Sequence, residues 1–317
     1  MDNTATIAKT HTARGKSEIS WGWMAVALLA HTAWGAYPVL ARYLQTVSGL
    51  PSMALLAIGN LIAVVLLLPF VYRQIRLSQL RSPVLWGFTL VVVLRAITNI
   101  LSARFTLAIY VQLITLMTPL MVALLSAGLF GERLPPFTLP AIGLSLVGSL
   151  LMMSGDISGQ GLALGLSSSD LLGIALAICS MACLAFYMIL VPRTVKETLP
   201  GEAVLLMQLV ALTVTSGAIS ALVGEDLGRF AMIGPQDWLA FGVFVLFVLI
   251  GANMGQIMSL RHLGAPLVSS TMAWRLISAL ALGALLLGER LTSLWQVLGA
   301  VIVLVTITVY LRRQRRA

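Results

Sequence analysis

A chain of 317 residues with 59% hydrophobic and only 10% charged side chains lies far from the soluble-domain norm, where about a quarter are charged. Its 20 Lys and Arg against 11 Asp and Glu give a formal charge of +9, which would suit a nucleic-acid surface if the charges clustered on one face. They do not, and the composition instead specifies an all-α integral membrane protein whose first partner is the lipid bilayer.

Ten apolar stretches, each about 18–25 residues and long enough for a helix to cross roughly 30 Å of hydrocarbon, are expected near 21–43, 51–72, 84–103, 105–129, 136–154, 170–191, 202–223, 238–259, 265–287 and 294–311. A polar tail, 1–19, precedes them. The first stretch begins like a cleavable leader at MAVALLAHTA, but its apolar run continues well beyond. It carries His31, Trp34, Tyr37 and Pro38, and the proline removes an N–H and frees a carbonyl inside the helix. His31 is the one internal group suited to titrate near neutral pH, and hydrogen-bonded packing is the plainer reading of it.

The third stretch holds Arg95 near its middle, with Asn99 and Ser102 on the same helical face. The fourth offers Gln112, Thr115, Thr118 and Pro119, and the sixth Tyr187, groups that orient ligands in carrier cavities or tie helices together. Cys179 and Cys183 stand four apart on one helix face, so they do not bridge each other; no His or carboxylate of suitable spacing makes them a metal site. Asn253 and Gln256, beside Gly251 and Gly255 in the eighth stretch, read as close helix packing. The ninth contains Arg275, with Thr271 and Ser278 on its face. Trp21, Trp23, Trp86 and Trp238 sit at span ends, as interfacial anchors do.

Threading ten spans from a cytosolic N-terminus puts Lys9, Arg14, Lys16, Arg73, Arg76, Arg81, Arg133, Arg193, Lys196, Arg261, Arg312, Arg313, Arg315 and Arg316 inside, and only Arg42, Arg104, Arg229 and Arg290 outside. That asymmetry follows the positive-inside rule, places both termini in the cytosol, and assigns the basicity to topology rather than to nucleic acid. The basic end, 312–317, reads as a stop and headgroup anchor.

The chain also repeats itself. GERL occurs at Gly131–Leu134 and at Gly288–Leu291, 157 residues apart, while Pro83 and Trp86 match Pro235 and Trp238 at an offset of 152. Leu50, Pro51, Ala54 and Leu56 match Leu199, Pro200, Ala203 and Leu205. Two halves, 20–154 and 170–311, are therefore expected, joined by an external Gly/Ser-rich linker at 155–169. Five spans per half is an odd number, so the second half enters the membrane inverted; such pairs build a site at their interface and work by alternating access. Each GERL is expected to act as a helix stop followed by interfacial charges.

Ten spans, two five-helix halves and a GER motif after the fourth and ninth spans resemble the EamA-type branch of the drug/metabolite transporter superfamily. The resemblance implies an inner-membrane metabolite carrier, frequently an exporter, with a central cavity between the halves. It leaves the substrate open. Relatives that drive cation export with a first-helix glutamate have no counterpart here, since Glu18, Asp170, Glu202 and Asp237 lie only at span ends.

Two arginines are left unexplained by topology. Each costs roughly 2.5–3.5 kcal/mol at mid-bilayer, so each must face the bundle interior or a cavity. With no carboxylate inside any span, a bound anion would supply their missing partner. The residues expected at such a site are Arg275, Arg95, Asn99, Gln112, Thr118, Trp34, Tyr37, Tyr187 and His31. The expected function is a secondary carrier of a small, anionic or carboxylate-bearing metabolite, without cofactor, metal or catalysis: no nucleotide loop, metal cluster or nucleophile–base pair is present in the sequence. The alternatives are an exporter of neutral or zwitterionic amino acids or amphipathic compounds, with both arginines tied to carbonyls or amides, and a non-transporting membrane scaffold or sensor.

Overall fold

The computed structural model describes residues 21–72, 83–154, 167–198 and 201–314, all helix and loop with no strand among them. The polar tail, most of the linker, the last three residues and the segments 73–82 and 199–200 lie outside the described residues. Thirteen α-helices follow in order: α1 (Trp21–Thr46), α2 (Ser52–Val71), α3 (Pro83–Phe105), α4 (Ala108–Leu116), α5 (Thr118–Phe130), α6 (Thr138–Met153), α7 (Ser168–Thr198), α8 (Gly201–Val223), the single turn α9 (Arg229–Met232), α10 (Pro235–Val243), α11 (Asn253–Ser270), α12 (Trp274–Leu286) and α13 (Leu294–Gln314). A π-helical stretch, Phe244–Ala252, joins α10 to α11 without a break.

Among the described residues seven helices are long and apolar enough to cross a membrane, and the α4–α5 pair, bent by 44°, makes an eighth if counted as one span. The helices α6 and α12 are apolar but only 16 and 13 residues long. The outer faces carry large apolar side chains such as Phe70, Leu222 and Leu285, the surface a bilayer requires and water does not tolerate in contiguous patches.

Two chain breaks differ from the hydropathy reading. The expected fourth span, 105–129, starts at Ala108 and breaks at Met117, because Pro119 has no N–H for the Thr115 carbonyl; that carbonyl instead accepts the Thr118 hydroxyl at 2.5 Å. The expected loop near 260–264 is absent: α11 runs on to Ser270 and the turn falls at 271–273, inside the expected ninth span. The dip in hydropathy at Arg261–Gly264 therefore marks a more polar stretch of helix, not its end.

Helix α2 packs on α8, α3 on α7, α6 on α13, and α1 on α12 and α11. The α6–α13 crossing is close enough that a Cβ on Gly299 would come within 2.4 Å of the Gly148 carbonyl oxygen. At one end of the bundle, carboxylates from residues 170–289 take donors from residues 43–109. Glu225 accepts the Met53 and Ala54 N–H groups at 3.1 and 2.7 Å, and Glu289 those of Ala108 and Ile109 at 3.2 and 3.3 Å. Neither α2 nor α4 has a side-chain cap of its own, so each borrows a carboxylate for its exposed N-terminal donors. Asp237 accepts from Ser48 and Tyr43, and Asp170 from Thr106.

Glu289 belongs to the second GERL. Gly131 and Gly288 do end their helices with positive φ, 65° and 68°, as expected of a stop, yet Glu289 is a buried tie to α4 rather than a free interfacial charge. It also pairs with Arg42 Nε at 3.0 Å, while Arg42 Nη1 donates to the Ala103 and Thr106 carbonyls. Burial pushes the Glu289 carboxyl above the ordinary glutamate range despite these partners.

Removing one member of this pair leaves the other buried without it. Arg42→Gln and Glu289→Gln are each expected to lower unfolding stability by about 1–3 kcal/mol, and the double variant to lose less than the sum. Thermal melts of the three purified proteins check this; additive losses would show that the two side chains are not coupled.

Candidate functional site

Helix α1 carries its Pro38 without ending, so the Trp34 carbonyl one turn earlier has no N–H donor from its own helix. Trp34 and Tyr37 face α3, whose Arg95 and Asn99 stand one turn apart, and α4, whose Gln112 and Thr115 lie on the same side. Arg275, in the first turn of α12, closes the group. These residues, with Pro38 and Val111, line one pocket in the middle of the bundle.

Its dominant feature is electrostatic. The Arg95 guanidinium sits 5.5 Å from the centre of the Trp34 ring and that of Arg275 5.6 Å from the same point, so the two cations are at most about 11 Å apart. Both distances fall within cation–π range, roughly 6 Å. No carboxylate lies within ion-pair distance of either among the described residues.

The two arginines are held differently. Arg275 is buried and donates from Nε to His31 Nδ1 at 2.9 Å and from Nη2 to Gln256 Oε1 at 3.3 Å. His31 in turn contacts the Val268 carbonyl through Nε2 at 3.0 Å, a bond pattern that requires the neutral ring with its proton on Nε2. His31 is thus a clamp for Arg275 and not a lining residue. The guanidinium of Arg95 makes no hydrogen bond to the described residues; only its backbone carbonyl is engaged, by Thr98 and Ser180. Trp34 Nε1, Asn99 Oδ1 and Gln112 Nε2 are likewise buried without a partner, an uncommon state for buried polar atoms.

A second, larger chamber shares Trp34, Tyr37, Arg95 and Asn99 with the first and extends between α2, α3, α8 and α11. Its walls are mostly leucine and valine, interrupted by Asn60, Gln208 and Asn253. Gln208 Nε2 is also buried and unpartnered, while Asn60 and Asn253 donate to the carbonyls of Leu56 and Leu249.

Of the nine residues expected at the site, six line the first pocket: Arg275, Arg95, Asn99, Gln112, Trp34 and Tyr37. Three lie elsewhere. His31 stands behind Arg275, Thr118 serves the α4–α5 break, and Tyr187, outside the lining but beside Arg95, stacks on Phe88 at 4.8 Å. The stripe residues Ser102, Thr271 and Ser278 bond to carbonyls of their own turns. Gln256 and Asn253, whose sequence setting suggests packing, instead hold Arg275 and line the larger chamber, and Asn60 and Gln208 join that lining although no motif marks them. The available signal was a lone carboxamide in an apolar span.

Comparison with known proteins agrees with this architecture. Residues 21–154 and 171–312 each match the model of the EamA-like transporter family, so the chain contains the unit twice. A solved structure described as "Crystal structure of protein" superposes with a TM-score of 0.62 over 93% of this chain and 98% of its own, at 18% identity, a likeness of fold alone. No curated protein matches the chain by sequence.

The pocket depends on a close crossing of α1 and α12: a Cβ on Gly35 would come 2.5 Å from the Arg275 carbonyl oxygen and 2.8 Å from Ser278 Cβ. Gly35→Ala is expected to force the two helices apart and lower the melting temperature by several degrees, whereas Gly143→Ala, where a Cβ meets open space, should be neutral or slightly stabilising. Equal melting of the two variants would show that the crossing is not tight.

Proposed function

The chain belongs to the EamA-like transporter family, and on that premise we propose that it is a secondary carrier that binds the anionic group of a small organic metabolite between Arg95 and Arg275. The observation that carries this reading is the meeting of both guanidiniums on one indole, in one pocket, with no carboxylate among the described residues to neutralise them. In a low-dielectric cavity a bound anion offers them charge-assisted hydrogen bonds that water-filled space does not. Trp34, Tyr37, Asn99 and Gln112 complete the contact.

The reading includes ten membrane crossings in two inverted five-helix halves, with α4 and α5 forming one bent crossing and α12 another. It is supported by the doubled family match and by the reciprocal packing of α2 on α8 and α6 on α13. It also includes a cell inner-membrane location with both termini cytosolic, which puts the carboxylate-tied end outside. Transport then proceeds by alternating access, and the ties of Glu225, Asp237 and Glu289 close the outer end in this state.

A second reading, export of neutral or zwitterionic compounds with the arginines structural, draws on the two bonds Arg275 makes to His31 and Gln256. Arg95 has no such bonds, which favours the anion.

Counterflow in proteoliposomes tests the function. Arg95→Gln is expected to raise the half-saturating concentration of a monocarboxylate by roughly tenfold or more, with Arg95→Lys intermediate because it keeps the charge and loses the planar fork. Unchanged affinity in both Arg95→Gln and Arg275→Gln would end the anion reading. For topology, Thr292→Cys should react with an impermeant thiol reagent from outside intact cells and Leu134→Cys only after permeabilisation; the reverse pattern refutes the orientation.

A further inference from the structure

Resting on the carrier reading above, the inventory of donors and acceptors narrows the substrate class. We infer that the ligand is a monocarboxylate with an apolar chain that carries an oxygen, and no ammonium group, on the carbon beside the carboxyl.

Arg95 lines the pocket with no hydrogen bond from its guanidinium to the described residues, and a planar guanidinium matches a planar carboxylate through two parallel hydrogen bonds. Arg275 has already committed Nε and Nη2 to His31 and Gln256, so it adds its charge and one remaining nitrogen rather than a second fork. Two lining residues, Trp34 and Gln112, carry buried donors without partners, Nε1 and Nε2, which suit an additional oxygen next to the carboxylate. The acceptors on the lining residues are neutral, among them the unpartnered Asn99 Oδ1 and the Trp34 carbonyl, which Pro38 deprives of its usual i+4 donor. These serve a hydroxyl group.

They do not serve an ammonium. An α-amino acid would bring a second positive charge beside two guanidiniums, in a pocket with no carboxylate in its lining, and would desolvate that charge without an ionic partner. The rest of the ligand faces a different surface. The larger chamber opens from the same four shared residues and is walled by Leu56, Val92, Leu205, Leu209, Leu212 and Leu249. Apart from the shared Arg95 it holds no basic side chain, and its polar members Asn60, Gln208 and Asn253 are neutral, so it offers an aliphatic or aromatic chain a place and a second anionic group no cation. A 2-oxo or 2-hydroxy acid with a branched or aromatic side chain fits both chambers at once.

Competition in counterflow separates this from its neighbours. The wild-type protein is reconstituted, loaded with 4-methyl-2-oxopentanoate and supplied with the labelled compound outside. Unlabelled 4-methyl-2-oxopentanoate should compete best; leucine, of the same skeleton with an ammonium in place of the oxygen, should be weaker by roughly tenfold or more. 4-Methylpentanoate, lacking the oxygen, and 2-oxoglutarate, carrying a second carboxylate, should both fall behind. Asn99→Asp, which places a carboxylate in the pocket, should raise the potency of leucine relative to the oxo acid. If leucine or inorganic phosphate competes as well as the oxo acid, or if Asn99→Asp leaves the ratio unchanged, the substrate class is wrong while the carrier reading stands. If labelled leucine shows saturable counterflow that Arg95→Gln does not alter, and the oxo acid shows none, both fall.

Discussion

Two guanidiniums over one indole ring, with no carboxylate among the described residues set against them, is the arrangement on which the rest of the molecule depends. A permanent charge inside the hydrocarbon is costly, and a chain that keeps two of them must provide a polarisable surface, neutral hydrogen-bond acceptors and a solvated or ligand-filled space. The protein supplies all three unevenly. Trp34 offers its face to both cations, His31 and Gln256 restrain Arg275, and Arg95 is left to the cavity. Gly35 is part of the same requirement, because only a residue without a Cβ lets α12 bring Arg275 this close to α1.

The acidic residues show the complementary rule. Asp170, Glu225, Asp237 and Glu289 are gathered at one end of the bundle, where they satisfy helix N-termini and hydroxyls across the chain's midpoint. A carboxylate placed at the centre would pair with the arginines and compete with any anionic ligand. Kept at the end, each instead ties an element of the second repeat to one of the first, and the pocket lining keeps its two arginines without a carboxylate beside them.

The sequence made the apolar spans legible because their length is dictated by bilayer thickness, and the doubled GERL made the two repeats legible because it recurs at equivalent points. It made Arg95 and Arg275 stand out because a charge in a long apolar run must face the bundle interior or a cavity, and the pocket they line is interior. What remained hidden depends on helix rotation and on contacts between distant segments. A single carboxamide such as Gln256 or Gln208 reads the same whether it faces a cavity or a neighbouring helix. Glu289 reads as an interfacial charge until α4 is seen to lack its own cap. Thr118 is a case in the other direction: a hydroxyl near a proline looked like a ligand group, and the backbone break claims it.

The two arginines also differ in what their surroundings allow them to do. Arg275 is fixed by bonds to α1 and α11, so its charge stays in place whether or not a ligand is present, and the cost of orienting it is met by folding. Arg95 rests on the same indole with Tyr37, Tyr187 and Cys183 nearby, and its guanidinium makes no hydrogen bond to the described residues. On the proposed reading, one preorganised cation that sets the local potential, beside one adaptable cation that makes the directional bonds, would let the pocket hold an anion without binding it too rigidly to release. For a carrier, which must give up its ligand on the far side of the membrane, that division is more useful than two fully satisfied or two fully free guanidiniums.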